Sequence, residues 1–261
     1  MSLTINTNLE AINASRNLNS TESMISQAMQ RLSSGLRINS AADDVAGYAI
    51  SERMKSQVNG LTQATQNIQD AVSLTQTAQG SINDVTQMLQ RIRELAVEYA
   101  NGTTSTSDQT AIQSEVNQLV SEISRVGETT TFNGVSLLNG GATITFQVGA
   151  NDQEVIAVKT VTLSTAVGTI SLSSISGIDA AISAVAAAAG EFGSVQDRIQ
   201  YTESNLEVYS QNLSSAVSGL VDVNMAAEMT NFTKLQVLQQ AGVSILSQAN
   251  AQPQAILKLL Q

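Results

Sequence analysis

The stretch LTQATQNIQDAVSLTQTAQGSINDVTQMLQRIRELA, residues 61–96, decides the fold class. Leu61, Ile68, Thr75, Ile82, Leu89 and Ala96 recur every seventh residue, and Ala64, Ala71, Ala78, Val85 and Ile92 each follow at a distance of three. Thr75 alone breaks this apolar a/d seam, and Ile50 and Met54 extend it upstream. Such a period belongs to a long helix with a coiled-coil-like seam. From 47 to 100 it would run about 50 residues, or roughly 75 Å at the helical rise. Alanine at successive d positions implies close approach of a second helix. Asn101-Gly102 then supplies a C-terminal stop.

Downstream, a second helix is expected from about Ser107-Asp108, with Ser as cap and Asp at the positive end of the dipole. Ile112, Val116, Leu119, Val120, Ile123 and Val126 form its face, and Gly127 lies close to its end. Thr131-Phe132-Asn133-Gly134 signals a turn. Residues 143–148 and 154–159 are β-type runs joined by Gly149-Ala150-Asn151-Asp152, which reads as a hairpin. The Ser/Thr-rich segment 160–177 reads as loop or weak strand. From Ile178 the helical period returns. Phe192, Ile199, Leu206, Leu213 and Leu220 form a seven-residue series, trailed at three by Val195, Thr202, Tyr209, Ala216 and Val223. This helix could pair with the first long one. A last helix, 225–261, has Leu235, Leu238, Ile245, Leu246 and Ala249 on one side, with Gly242 and Pro253 expected to weaken its end.

The expected architecture is therefore mainly α. Long antiparallel coiled-coil-like helices are joined to paired terminal helices, with a small β-hairpin insertion near 143–160. Two domains are expected: 1–42 with 225–261, and 43–224. The insertion is too short for an independent outer domain with its own core.

The two ends resemble each other. In 1–42 and 225–261, Leu, Ile, Val, Met and Ala are spread among Asn, Gln, Ser and Thr, with few charges. Glu10 and Glu22 stand against Arg16, Arg31 and Arg37, and Glu228 stands against Lys234 and Lys258. Each end is thus near +1, leaving −12 on the middle against a chain total of −10. Helices so poor in charge cannot solvate every face well, and they are too rich in amides for a closed core. Amide and hydroxyl side chains suit contacts between subunits without the desolvation cost of charge. Ends of this kind are expected to order on docking. Identical ends meeting neighbours head to tail, without ring closure, build a helical filament.

Composition narrows the function further. The net charge of −10 argues against a nucleic-acid face or an anionic-lipid surface. With no Cys and no His, the commonest nucleophile–base pairs and metal ligands are gone. No Walker A, G-x-S-x-G or H-E-x-x-H motif is present. No catalytic, cofactor-binding or metal site is assigned, and no enzyme activity is expected. Asp43-Asp44 would point about 100° apart on a helix, a poor chelate and a better cap. Methionines are read as gap-fillers. The Asn-x-Ser/Thr sequons at Asn13, Asn101, Asn212 and Asn231 are at chance level for so Asn- and Ser-rich a chain. The start, MSLTINTNLEAINASR, lacks the pattern of a Sec-type leader, and no apolar run approaches the ~20 residues of a membrane span.

Several motifs together are similar to those of bacterial flagellin, the filament subunit of the flagellum. They are RLSSGLRINSAADDVAG at 31–47, Asn67 to Ala71, QRIRELAV at 90–97, and Phe132-Asn133-Gly134 with Leu137-Leu138. VLQQAGVSILSQAN at 237–250 follows, then Pro253-Gln254 and Leu259-Leu260. The resemblance covers nearly the whole chain, without the large outer insertion of longer members. It implies a structural subunit that polymerises for motility. Its terminal helices would line an inner tube, with Leu9, Ile12, Leu18, Leu32, Leu235, Leu238, Ile245, Leu246 and Leu259 as inter-subunit core. It also implies export through the flagellar type III apparatus to an extracellular filament. The implied partners are copies of itself, an export chaperone on the C-terminal helix, and the filament cap and hook-junction proteins. In flagellins bound by an animal Toll-like receptor, a matching segment makes the contact, which here falls on Arg91, Leu95 and Glu115. The bland alternative for Arg91 and Arg93, with Glu94 and Glu98, is a solvated helix face. Alternative functions are a hook–filament junction protein of the same design or a non-catalytic coiled-coil binding module.

Overall fold

A computed structural model describes residues 7–163, 167 and 170–259, with side-chain surroundings as far as Gln252. The elements run α1 (Leu9–Ser34), α2 (Val45–Tyr99), α3 (Thr106–Thr129), β1 (Thr131–Phe132), β2 (Val135–Ser136), β3 (Thr143–Gln147), β4 (Val155–Lys159), α4 (Ile175–Val221) and α5 (Met225–Leu259). The architecture is mainly α, with small antiparallel strand pairs, as the periodicities require. Two compact units are resolved, a middle unit of 56–212 and a terminal unit of 1–55 with 213–261.

In the middle unit, every seam residue of α2 from Leu61 through Ala96 is buried. Thr75, the polar exception, is fully buried too. Its hydroxyl donates back to the carbonyls of Ala71 at 3.0 Å and Val72 at 2.9 Å, so no polar group is stranded in the seam. Helix α4 packs antiparallel to α2. Arg93 meets Asp179, and stepping back along α2 to Gln79 moves the neighbour forward to Gly193. Ile178, Ala181, Val185, Ala188 and Phe192 enter the same core as Leu74 to Ala96. By length and composition α4 is apolar enough to cross a membrane, unlike the expectation from its sequence. Core contacts account for part of that apolar character, since 28% of the apolar window is buried.

Helix α3 covers this pair with Ile112, Val116 and Ile123. It starts two residues earlier than expected. Ser105 is the N-cap, and it exchanges hydrogen bonds with Asp108 in a capping box. Ser107 has Thr110 in the corresponding position, which cannot reciprocate as an acceptor for the cap N–H in the same way.

The expected hairpin is β3–β4, in register from Thr143 opposite Lys159 to Gln147 opposite Val155. Ile156 and Val158 point into the core. The hairpin lies along α2, where Asn67 Nδ2 donates to the Gln147 carbonyl at 2.9 Å. At Gly60 an added Cβ would lie 3.0 Å from the Ala150 Cβ, so the loop's close approach to the helix is eased by glycine at that position. The turn expected at 131–134 is itself a two-stranded ladder, β1–β2. Asn133 and Gly134 both take positive φ, 47° and 80°, as a tight hairpin turn demands. The segment expected to be loop through 177 becomes helix at Ile175, where Ser174 Oγ accepts from the Gly177 N–H. Positions 164–166 and 168–169 of that segment lie outside the described residues.

In the terminal unit, the first helix stops well short of residue 42. Gly35 adopts a left-handed φ of 73°, and its N–H closes onto the Arg31 carbonyl at 2.9 Å. The following turn is tied by Asp43, whose carboxylate accepts from Ser40 and Asn39 backbone N–H groups, and Asp44 accepts from the Gly47 N–H. Contact with the Ser40 and Asn39 amides, Ser40 foremost, holds Asp43 below the usual carboxylate range. The chain's two connecting loops meet. Arg37 N–H donates to the Val221 carbonyl, and Val223 N–H donates to Gly35. Helix α5 runs antiparallel along α1, and Asn8 Nδ2 reaches the Ala249 carbonyl at 2.8 Å. The helical backbone of α5 continues through Gly242 and Pro253, which were expected to weaken it. Leu18 packs where Gly242 lacks a side chain, a tertiary contact that overrides glycine's poor helix propensity.

Candidate functional site: the terminal helix pair

Two helices packed on each other can each bury one stripe, and α1 with α5 does no more than that. Among the described residues of these two helices, Ala28, Leu235 and Ala249 are the buried ones. The rest of their apolar side chains remain partly or largely open. Leu9 is 62% exposed, Ile12 47%, Leu238 47% and Ile245 59%. These four are among the residues expected to meet neighbouring subunits. Leu18, Leu32 and Leu246 are half-buried, and Leu235 is spent inside the helix pair. The side chain of Leu259 lies outside the described residues.

The open surface is wider than one face per helix. Met24, Met29, Met225, Met229, Val237 and Val243 are also about half exposed. Their signal was present in the sequence. Val237 lies two positions from Leu235, which puts the two on nearly opposite sides of a helix. A helix apolar on several sides needs more than one partner surface. Few charges interrupt these faces. Docking them would remove apolar area at about 25 cal/mol per Å², with little charge desolvation to offset it.

The residues expected at a receptor contact lie in the middle unit. Arg91 and Glu115 meet across α2 and α3, with Nε to Oε1 at 3.0 Å, and Arg91 also reaches Glu94 at 3.2 Å. Those bonds, Glu115 first, push the guanidinium above its usual value. Leu95 is only 2% exposed and faces the core, so the structure joins two of the trio at the surface and turns the third inward. Among the described residues no cluster of His, Cys, Asp or Glu is arranged to hold a metal.

The helical region at the N-terminal side, residues 5–143, matches the family model for the bacterial flagellin N-terminal helical region, and residues 175–260 match that for the C-terminal helical region. The chain belongs to the bacterial flagellins. A flagellin of Halalkalibacterium halodurans is 44% identical over 98% of this chain and 99% of its own. A flagellin of Bacillus subtilis is 37% identical with the same coverage, and a flagellar filament core protein of Treponema phagedenis is 38% identical. The crystal structure of Bacillus cereus flagellin superposes with a TM-score of 0.51 at 28% identity, covering 58% of this flagellin and 94% of that chain. A flagellar hook-associated protein of Vibrio parahaemolyticus, 11% identical, shares the fold with a TM-score of 0.60 over 69% of this flagellin and all of that chain. The family is one of structural proteins, and its helical regions coincide with the long helices on both sides of the hairpin.

Proposed function

We propose that this flagellin is the polymerising subunit of a bacterial flagellar filament. The observation that carries the reading is the open apolar surface of α1 and α5, centred on Leu9, Ile12, Leu238 and Ile245. In a single chain this surface costs solubility and gains nothing. Between copies it becomes a core. The terminal domain, 1–42 with 225–261, lines the inner tube of the filament and completes its folding as it docks. The acidic middle, 43–224, forms the surrounding shell and faces water. Non-closing contacts repeat along the axis, so the polymer is a helix and many identical seams share the mechanical load.

The same terminal surface must be kept from premature assembly before the subunit leaves the cell. An export chaperone on the C-terminal helix serves that purpose, with passage through the flagellar type III apparatus to an extracellular filament. Cap and hook-junction proteins meet the two filament ends. No catalytic role is part of this reading, since the fold's specialised surface is apolar. A Toll-like receptor contact at the Arg91–Glu115 pair is a separate proposal. In a reporter-cell assay, monomer signals and Arg91→Ala signals less; an unchanged response to that variant ends this proposal.

Cryo-electron microscopy of the purified protein after seeding at near-neutral pH tests the main reading. Long tubes with α1 and α5 around a central channel are expected. Small discrete particles at every concentration and seed density would transfer the protein to a junction or coiled-coil binding role.

A further inference from the structure

The terminal helix pair holds four open methionines. Met24 and Met29 on α1 are 49% and 55% exposed, and Met225 and Met229 on α5 are 48% and 50% exposed. Met54 and Met88, elsewhere in the chain, are half-buried. The antiparallel pairing gathers the four at one end. Val223 N–H bonds the Gly35 carbonyl at that end, and Leu18 packs at Gly242 further along. Between those two marks lie Met24 and Met29 on one helix, and Met225 and Met229 on the other. Met225 and Met229 also bracket Glu228, whose Oε1 is buried without a hydrogen-bond partner. The chain has no cysteine, so its thioethers are its only sulfur.

From this we infer that Met24, Met29, Met225 and Met229 form an oxidant-sensitive modification site, and that their conversion to sulfoxide blocks self-assembly. The inference rests on the filament reading above, because it requires the patch to be buried between subunits. The oxidant is a peroxide. The thioether sulfur attacks one oxygen of hydrogen peroxide, an S–O bond forms as the O–O bond breaks, and the displaced hydroxide takes the proton from the transferred oxygen, leaving the sulfoxide and water. Sulfur is oxidised by two electrons and the peroxide is reduced. A soft, adaptable apolar side chain becomes a polar one that accepts hydrogen bonds and donates none. Four new acceptors then stand on the faces that docking would cover, two of them on the same helix as Glu228, whose Oε1 already lacks a donor. Docking must strip water from all of them without replacing its hydrogen bonds. The buried seam of the middle unit, Leu61 to Ala96, has no methionine at its a or d positions, and Met88 beside it is half-buried against the core. The free subunit is therefore vulnerable, and the assembled subunit is sheltered.

The test compares full-length protein before and after dilute hydrogen peroxide, with sulfoxides located by mass spectrometry. Untreated protein must first elongate filament seeds; if it does not, the filament reading itself fails. Given elongation, treated monomer is expected to carry oxygen first on the four terminal methionines and to keep its helical circular dichroism. It should extend seeds clearly more slowly than untreated monomer, because sulfoxide formation disrupts methionine-rich interfaces. Methionine sulfoxide reductase should restore growth, and preassembled filaments should resist oxidation at these positions. Met54→Leu with Met88→Leu should remain as sensitive as the unaltered chain. Replacing the four terminal methionines by Leu should bring the ratio of treated to untreated growth of that variant to one, whatever its basal rate. Unslowed growth of the oxidised monomer overturns the inference. So does acquisition of resistance by the Met54→Leu, Met88→Leu variant, or failure of the reductase to restore growth.

Discussion

The middle and terminal units use the same material, long helices with apolar residues at short helical spacings, and reach opposite results. In the middle unit, α2 and α4 are covered by α3 and the β3–β4 hairpin, and the seam from Leu61 to Ala96 is closed to solvent. In the terminal unit α1 packs along α5, and Leu9 and Ile245 remain mostly open. A third layer converts a pair of amphipathic helices into a core. Without it, the same apolar content is left as a surface that a neighbouring copy can cover. Charge follows the same division. Ion pairs such as Arg93–Asp179 and Arg91–Glu115 sit on the middle unit, while the terminal helices have few charges to pair.

The comparison breaks most readily by deletion. Removing 1–30 or 240–261 is expected to abolish filaments while circular dichroism still reports a helical middle unit. Normal filaments from either truncation would refute the division of labour. Next in size are paired side-chain truncations. Phe192→Ala, in the middle core at 1% exposure, should lower stability by about 3–5 kcal/mol in urea unfolding. Leu238→Ala, at 47% exposure, should move monomer unfolding by no more than about 0.5 kcal/mol. The same Leu238→Ala change should raise the critical concentration for polymerisation. Equal effects of the two on monomer stability would erase the distinction between core and open face. Smaller again is Ser105→Ala, which removes the capping oxygen of α3 and should cost about 1 kcal/mol.

The smallest effects are electrostatic. The Ser105 hydroxyl, and then its N–H, hold Asp108 below the usual carboxylate range, and Arg125 does the same for Glu122. Each group binds fewer protons folded than unfolded. Its stabilisation is complete above the ordinary carboxylate pKa of about 4 and is lost as pH falls through the lower folded value. The urea midpoint of the middle unit should therefore decline on acidification below that range, and Asp108→Asn should flatten the decline slightly. Both groups are exposed, so added salt should weaken the Glu122–Arg125 contribution.

Much of this fold was legible in the chain. The heptads gave the long helices, the alternating runs gave β3–β4, and Asn133-Gly134 marked a turn, because each signal is local. The boundaries were less legible where a local rule had competitors. Gly35 ends α1 although apolar residues continue to Ile38, since a left-handed cap outranks the pattern beyond it. Ser105 rather than Ser107 begins α3 because only Ser105 has an acidic partner at the third helical position. At the assembly surface, Leu9, Ile12, Leu238 and Ile245 were readable as apolar ends. Leu235 was not separable from them, because burial inside the pair depends on how α1 and α5 rotate against each other. In sequence, Met24, Met29, Met225 and Met229 read as gap-fillers. Their exposure follows from the absence of a third layer, which no residue in their own helices announces.

Amide hydrogen exchange, measured on the same protein as monomer and as seeded filament, addresses the central claim directly. Amides of α1 and of α5 should exchange rapidly in the monomer and become strongly protected in the filament. Those of α2 from 61 to 96 should be protected to a similar degree in both. Terminal helices equally protected in monomer and filament, or gaining less protection than the middle unit on assembly, would contradict the claim that their open faces are the assembly surface.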